Sequence, residues 1–319
     1  MSMRAAVLDI GSNSVQLLVV EVDGSEWREL AAAECITRLA DGLAEGRALD
    51  PAACARTFEA IEVLAARARA LGIVRLWAVG TRSFRLAIDG PAFAERLESA
   101  VGGPVEILSA AREAELGFEG AVIGLGCTAG PVLSVDIGGG STEIVWGHDA
   151  RPVDHLSLPL GVVVLTERYL HRDPSPPEDV RALRAVVSNA VAEARPVRRH
   201  LEGAGSRGPL VGSGGTLVTL AAMAARLDSY RADVVHGSRL TREVLGAQLA
   251  DLAARSIAER SQITGLSPAR APTILAGAVV ANALMDAAGE NAIVVSDHGL
   301  RHAVLRERVL ALGMVPVER

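Results

Sequence analysis

Two stretches of the chain share one pattern of apolar and polar positions. Residues 7–20 read VLDIGSNSVQLLVV, and residues 134–146 read SVDIGGGSTEIVW. In each, an apolar run rich in β-branched residues ends in Asp-Ile-Gly, passes small polar residues and resumes as a second apolar run. This predicts a strand, a turn and a strand. Glycine and small hydroxyl residues in the turn allow positive φ and leave backbone N–H groups bare.

The rest of the pattern predicts an α/β chain made of two related halves. A helix is predicted over residues 51–71, because Pro51 stands at its start, apolar residues recur at three and four positions, and Gly72 follows its end. The second half repeats the three-strand opening and is then mostly helical. The predicted strands are 4–9, 15–22, 27–36, 73–79, 131–137, 142–147, 152–157, 209–212 and 292–295.

The two Asp-x-Gly turns are candidate phosphate sites. Bare N–H groups bind anions, and Asp9 or Asp136 at the end of its strand can hold a hydrated Mg²⁺ beside a phosphate. The alternative is that each turn is simply a tight hairpin. Two matched copies favour phosphate binding and suggest two halves that close on one polyphosphorylated ligand.

Composition narrows the chemistry. The 319 residues suffice for two domains, and the chain has no lysine among its 32 basic residues. This excludes a P-loop NTPase and any Schiff-base or pyridoxal enzyme, since both need a lysine amine. A phosphate clamp must therefore use arginine, backbone N–H groups or metal. The net charge of −6 argues against a general nucleic-acid binder.

Other features point to a cytoplasmic protein without a membrane role. The chain enters a strand after Arg4 without an apolar leader, and uncharged stretches such as residues 271–285 are too short to span a bilayer. The three cysteines share no metal-ligand spacing and are interpreted as buried thiols. His298 and His302 are four apart on a predicted helix but have no third ligand nearby in sequence, which disfavours zinc.

Several motifs together resemble the exopolyphosphatase and guanosine pentaphosphate phosphatase family over essentially the whole chain. They are the two Asp-Ile-Gly turns, TRSFR at 81–85, REAEL at 112–116, VGSGGT at 211–216 and SDHGLR at 296–301. The resemblance implies the actin, hexokinase and heat-shock-chaperone superfamily, with two ribonuclease-H-like domains around a central cleft. The domains would cover residues 1–129 and 130–299, with a helix over 300–319 that packs back on the first, and the resemblance also implies a homodimer.

The resemblance implies specific roles for the acidic residues. Glu113 matches the catalytic glutamate, and Ser109 as N-cap would place it in the first turn of a helix. The alternative is a solvated glutamate favoured by the helix dipole. Asp136 and Glu143 match the acids that hold Mg²⁺ and the attacking water, with Asp9 as the counterpart in the first domain; Mn²⁺ is a second candidate metal. Glu115 is expected at the surface.

The resemblance also implies the residues that contact phosphate. They are Gly11, Ser12, Asn13, Ser14, Arg85, Gly138, Gly139, Gly140, Ser141, Thr142, Gly214, Gly215 and Thr216. Arg38 either lines the substrate channel or is a surface residue. Other residues on family positions are interpreted as structural, namely His236, Arg260, Arg270 and Arg301. One departure is Arg112, which stands where many members carry an acid and would either depress the pKa of Glu113 or hold a phosphate.

We therefore expect an Mg²⁺-dependent hydrolase of phosphoanhydrides that releases orthophosphate from inorganic polyphosphate. The close alternative converts guanosine pentaphosphate to the tetraphosphate. An ATP-dependent phosphotransferase would additionally need an acceptor hydroxyl beside an acidic base. A non-catalytic sensor of polyphosphate or alarmone is disfavoured, because a pure anion-binding site gains nothing from Glu113, Asp136 and Glu143.

Overall fold

The structure is a computed structural model that describes residues 2–23, 26–193 and 208–313. The chain forms two compact units. One comprises residues 1–116 and 300–319, and the other comprises residues 117–299. Because the division falls at Leu116, it lies inside a helix and upstream of the seam expected at residue 129. The C-terminal helix belongs to the first unit.

The first unit is built on a five-stranded sheet of order β3-β2-β1-β4-β5. β1 pairs antiparallel with β2 and parallel with β4. The strands are β1 (Ser2–Ile10), β2 (Ser14–Asp23), β3 (Glu26–Ile36), β4 (Arg75–Gly80) and β5 (Val105–Ile107). The helices are α1 (Pro51–Ala70), α2 (Arg82–Leu86), α3 (Gly90–Val101), the start of α4 (Ala110–Gly124) and α12 (Leu300–Ala311).

Both faces of this sheet are covered, which explains the nearly unbroken apolar run of β1. Ala6, Leu8 and Ile10 belong to a core shared with α1 and α3. Ala5 and Val7 belong to a second core, which includes apolar residues of α12. Since successive side chains point to opposite faces of a strand, a strand with helices on both sides must be apolar at nearly every position.

The second unit has a six-stranded sheet of order β10-β11-β9-β6-β7-β8. Its strands are β6 (Pro131–Ile137), β7 (Thr142–His148), β8 (Arg151–Leu158), β9 (Leu210–Ser213), β10 (Arg239–Thr241) and β11 (Ala292–Val295). Its helices are the end of α4, α5 (Val162–Tyr169), α6 (Pro177–Glu193), α7 (Gly214–Ala224), α8 (Ala232–Val235), α9 (Arg242–Ala254), α10 (Ile257–Arg260) and α11 (Ile274–Ala288), with a 3₁₀ turn at Pro268–Arg270.

The two sheets repeat one topology. Antiparallel β1, β2 and β3 correspond to β6, β7 and β8, and parallel β4 and β5 correspond to β9 and β11. The α/β class and the nine predicted strands are confirmed, while β5 and β10 were not predicted. Each of these two has only three residues, too few for a periodic pattern to show.

Within the residues described, no helix combines the length and the apolar character needed to cross a membrane.

Candidate active site

The first turn, between β1 and β2, is closed by its own backbone. The Gly11 N–H donates to the Ser14 carbonyl at 2.9 Å. This N–H is therefore hydrogen-bonded within the turn, whereas the sequence predicted that it would be bare. Gly11 is also absent from the glycines with positive φ, so the turn does not use left-handed backbone at this position. A Cβ at Gly11 would lie 3.2 Å from the Ser14 carbonyl oxygen. Glycine therefore serves close approach within the turn.

The carbonyl groups of the first turn are tied to the segment after β3. The Ala40 N–H donates to the Ser12 carbonyl at 3.0 Å, and the N–H groups of Thr37 and Arg38 donate to the Asn13 carbonyl at 3.0 and 2.9 Å. In a trans peptide the C=O of one residue and the N–H of the next point in opposite directions. The N–H groups of Asn13 and Ser14 therefore point away from the segment after β3.

The second turn, between β6 and β7, has the same construction. The Gly138 N–H donates to the Ser141 carbonyl at 3.0 Å. The first N–H groups of α5, on Val162 and Val163, donate to the carbonyls of Gly138 and Gly139, each at 3.0 Å. The N–H groups of Gly139 and Gly140 consequently point away from the start of α5. The three glycines 138–140 are not among those with positive φ either.

The acidic residues of the second turn lie directly opposite each other. Asp136 and Glu143 are register partners on β6 and β7, so their side chains share one face of the sheet. Glu143 Oε1 accepts hydrogen bonds from the hydroxyls of Ser141 at 2.6 Å and Ser157 at 3.0 Å. Ser157, on β8, was not predicted, because its place beside Glu143 follows from strand pairing alone.

Asp136 is held by the end of β9. The Ser213 hydroxyl donates to Asp136 Oδ2 at 3.0 Å, and a Cβ at Gly214 would lie 2.3 Å from Oδ1. Burial raises the pKa of Asp136, and the Ser213 hydrogen bond opposes this shift only in part. A bound cation would offset the cost of this buried negative charge. Two carboxylates on one sheet face, with hydroxyls that orient them, suit a hard cation such as Mg²⁺.

The first turn differs at the corresponding place. Asp9 faces Gln16 across β1 and β2, where the second turn has a glutamate. The Gln16 amide donates to Glu34 Oε1 at 3.2 Å, and Arg301 Nη1 donates to Gln16 Oε1 at 2.8 Å. The pair of acids is therefore a property of the second turn. Arg301, left outside the site by the sequence reading, holds the partner of Asp9.

Glu113 lies in the first turn of α4, as predicted, and Ser109 Oγ accepts the Arg112 N–H at 3.2 Å as an N-cap does. Its carboxylate pairs with Arg85, with 2.7 Å between Nη1 and Oε2, and the same nitrogen donates to the Leu108 carbonyl at 2.7 Å. Arg85 was predicted to bind phosphate, and here it orients Glu113. A guanidinium carries five N–H donors, so the two roles are compatible.

The Arg112 guanidinium is engaged by carboxylates, and its predicted effect on Glu113 or on a phosphate stays a prediction. Its guanidinium pairs with Glu115 at 3.1 Å and with Glu307. Glu115 is 41% exposed and is thus a surface residue, as predicted. The Glu113 carboxylate pairs with Arg85.

The hydroxyls of Thr142 and Thr216 have structural partners. Thr142 donates to the Leu160 carbonyl at 2.8 Å, and Thr216 donates to the Ile137 carbonyl at 3.0 Å. Both residues are buried, and their hydroxyls hold the turns in place. That Thr142 and Thr216 contact phosphate stays a prediction. At the N-terminus of α7, a Cβ on Gly215 would lie 2.1 Å from Nη2 of Arg270. A guanidinium at a helix N-terminus favours an anion, and sequence reading had left Arg270 outside the site.

The cysteine and histidine expectations change in detail. All three cysteines are free thiols whose pKa values are raised by burial, although Cys35 and Cys127 are only half-buried. The expectation that His298 and His302 share a helix is wrong, because α12 begins at Leu300. The Asp297-His298-Gly299 segment ends the second unit, and His302 belongs to the first.

Comparisons with known proteins show the family to which this chain belongs. The model of the Ppx/GppA phosphatase family matches residues 18–312. The chain is 34% identical to exopolyphosphatase 2 of Mycobacterium tuberculosis, over 93% of this chain and 96% of that protein. It is 31% identical to exopolyphosphatase 1 of Mycobacterium bovis, over 96% and 88%.

Solved structures confirm the fold class. The crystal structure of the Aquifex aeolicus member of the Ppx/GppA family superposes with a TM-score of 0.80 at 29% identity, covering 98% of this chain and 99% of that one. An exopolyphosphatase structure from Cytophaga hutchinsonii superposes with a TM-score of 0.85 at 23% identity, covering 99% and 100%. The second likeness bears on the fold alone.

Proposed function

Because the chain belongs to the Ppx/GppA phosphatase family, we propose that it is an exopolyphosphatase. It hydrolyses the terminal phosphoanhydride bond of inorganic polyphosphate and releases orthophosphate. Water forms the new bond to the terminal phosphorus, the bridging P–O bond breaks, and the products are orthophosphate and a chain shorter by one phosphate. The resemblance noted in the sequence and the names of the relatives support this assignment.

The observation that carries the proposal is the construction of the two turns. In each turn, the carbonyls accept hydrogen bonds from N–H groups of another segment, which is the segment after β3 for the first turn and the start of α5 for the second. The N–H groups at 13–14 and 139–140 therefore point away from these segments. Backbone N–H groups arranged in this manner bind phosphate oxygens without using a side chain. This supplies the anion recognition that a lysine-free chain needs, and Arg270 beside Gly215 adds a positive charge.

Asp136 and Glu143 are the residues that fit Mg²⁺, since both offer hard carboxylate oxygens from one sheet face. Mg²⁺ bound there would neutralise charge on the non-bridging oxygens. Ser213 and Ser157 orient the two carboxylates through their hydroxyls. Glu113 accepts the proton of the attacking water, and Arg85 fixes the direction in which its carboxylate points.

The substrate proposal favours polyphosphate over guanosine pentaphosphate. Backbone N–H groups and guanidinium forks recognise phosphate oxygens, which repeat along a polyphosphate chain. Specific reading of guanine requires a stacking ring with paired donors and acceptors, and the Gly214-Gly215-Thr216-Leu217 start of α7 carries no ring.

The experiment measures phosphate release with Mg²⁺ on long polyphosphate, short polyphosphate and guanosine pentaphosphate in parallel. We expect the highest kcat/KM on polyphosphate and no activity in excess chelator. A tenfold preference for guanosine pentaphosphate, about 1.4 kcal/mol, would reassign the substrate within the same chemistry. Phosphate loss from ATP that requires an added hydroxyl acceptor would indicate a phosphotransferase instead.

A further inference from the structure

Three side chains of the kinds that bind metal ions lie close together in the second unit. They are not part of the two Asp-Ile-Gly turns. His236 follows α8, while Asp297 and His298 follow β11. One ligand atom from each of the three lies within 4.8 Å of the others. The cluster was not predicted, because 61 residues separate His236 from Asp297 and the two meet through the pairing of β10 with β11.

The ring of His236 has a defined orientation. Its Nε2 lies 2.9 Å from the Gly124 carbonyl oxygen, which can only accept, so Nε2 carries a proton and donates. The Asp297 N–H donates to Nδ1 at 3.4 Å, which makes Nδ1 an acceptor. This nitrogen nevertheless lies 2.7 Å from Asp297 Oδ1, which is also an acceptor. Two acceptors at this distance require a cation, either a proton or a metal ion.

Asp297 is positioned in a similar way. The Tyr230 hydroxyl donates to its Oδ2 at 2.8 Å, which leaves Oδ1 on the side of the two histidines. That oxygen is buried, so a cation held between it and the imidazoles would offset the cost of its buried charge.

His298 completes the cluster. Its Nε2 lies 3.7 Å from the same Asp297 oxygen, and its ring centroid lies 4.6 Å from that of His236. The ring fits only because residue 124 is glycine, since a Cβ there would lie 2.2 Å from His298 Nδ1. The packing thus holds the second imidazole beside the first, with its Nε2 toward Asp297.

We propose that His236, Asp297 and His298 bind one transition-metal dication, with Zn²⁺ as the best match. Two imidazole nitrogens and one carboxylate suit zinc better than Mg²⁺, which prefers oxygen ligands only. Metal-bound histidines characteristically donate their other N–H to a backbone carbonyl, and ligating carboxylates are themselves hydrogen-bonded. Gly124 and Tyr230 provide these two supports. The site differs from the one proposed at Asp136 and Glu143 in both its ligands and its metal.

Zinc at this cluster would fasten the segment after α8 to the segment after β11. The consequence is stabilisation of the folded chain in proportion to zinc occupancy. A proton in place of the metal would give the same contacts, but stability would then respond to pH and not to zinc.

The test uses the full chain without a polyhistidine tag, treated with chelator and dialysed. Zn²⁺ is titrated by calorimetry in the presence of excess Mg²⁺, and Tm is measured with and without Zn²⁺. We expect one Zn²⁺ per chain and a rise in Tm. His298→Ala should weaken the affinity by more than about tenfold and abolish the Tm rise. His171→Ala, which removes an exposed histidine elsewhere in the same unit, should change neither result.

Asp297→Asn provides a second variant that keeps the size of the side chain, and it should also lose Zn²⁺. Absence of a stoichiometric site in the parent chain would overturn the proposal. So would equal zinc affinity in the parent and His298→Ala, because the bound ion would then sit elsewhere. A Tm that depends on pH but not on Zn²⁺ would assign a proton to the His236–Asp297 contact.

Discussion

At the scale of single residues, Glu113 and Glu115 allow a matched test of the proposed base. They lie two positions apart on α4, yet Glu113 pairs with Arg85 and Glu115 pairs with Arg112 at the surface. Glu113→Gln should lower kcat about 10²- to 10⁴-fold while substrate still binds, because the amide cannot accept the proton of water. Steady-state kinetics and equilibrium binding of polyphosphate measure the two effects.

Glu115→Gln is the control and should leave kcat within about twofold, since it removes only an exposed ion pair. A Glu113→Gln enzyme that turns over within a few-fold of the parent would show that another group is the base. Glu143 would then be the candidate.

At the same scale, the acids could be predicted from the sequence, whereas two serines that orient them could not. Glu113 could be predicted from its motif and its N-cap, which are local in the chain. Ser157 contacts Glu143 across β7 and β8, and Ser213 contacts Asp136 from β9. Such contacts depend on which strands pair, and a lone serine carries no sign of its partner. Arg270 is similar, because its place beside Gly215 depends on packing in the second unit.

At the scale of elements, the junction of β9 and α7 can be tested through its glycine. Gly214 has φ +86°, and a Cβ there would lie 2.3 Å from Asp136 Oδ1. Gly126 has φ +67° with no atom within 4 Å of its Cβ position. Each alanine variant should lose about 1–2 kcal/mol of folding stability, because alanine disfavours left-handed backbone. Only Gly214→Ala must also displace the Asp136 side chain.

Urea unfolding should therefore show a larger loss of stability for Gly214→Ala than for Gly126→Ala. The concentration of Mg²⁺ needed for half-maximal rate should rise in Gly214→Ala alone. If both variants lose equal stability and keep the parental Mg²⁺ dependence, Gly214 serves only to turn the chain and not to make room for Asp136.

The elements themselves were largely predictable from the chain. The long strands and α1 follow from periodicity and from end signals, such as Pro51 at N1 and Gly72 at φ +72°. The motif of the two Asp-Ile-Gly turns does not distinguish a glycine that needs positive φ from a glycine that needs close backbone approach. Gly11 and Gly138 each place a Cβ position 3.2 Å from a carbonyl oxygen, and this close contact is a property of the folded turn.

At the scale of the whole molecule, Asp136 links stability to pH. Its pKa is raised above 3.8 in the folded state, so the folded protein retains a proton that the unfolded chain releases. The free energy of unfolding must then fall as the pH rises from below about 3.8 through the pKa that Asp136 has in the folded protein. This loss of stability persists at neutral pH. Asp136→Asn removes this loss. In chelator at neutral pH, the variant should have a higher Tm than the parent and no activity.

Thermal unfolding across pH measures this difference, which should disappear below about pH 3.8. Added Mg²⁺ should stabilise the parent and leave the variant unchanged. A lower Tm for Asp136→Asn in chelator at neutral pH would mean that the carboxylate stabilises the metal-free protein, contrary to the buried charge inferred here.

The two sheets with one strand order suggest an ancient gene duplication, and duplicated copies begin with identical codons. Opposite the strand-end aspartate, one copy now encodes Gln16 and the other Glu143. Glutamine and glutamate codons differ by a single nucleotide. One such change therefore separates a half with an acid–amide pair from a half with a pair of acids, which is the pair that suits a hard cation.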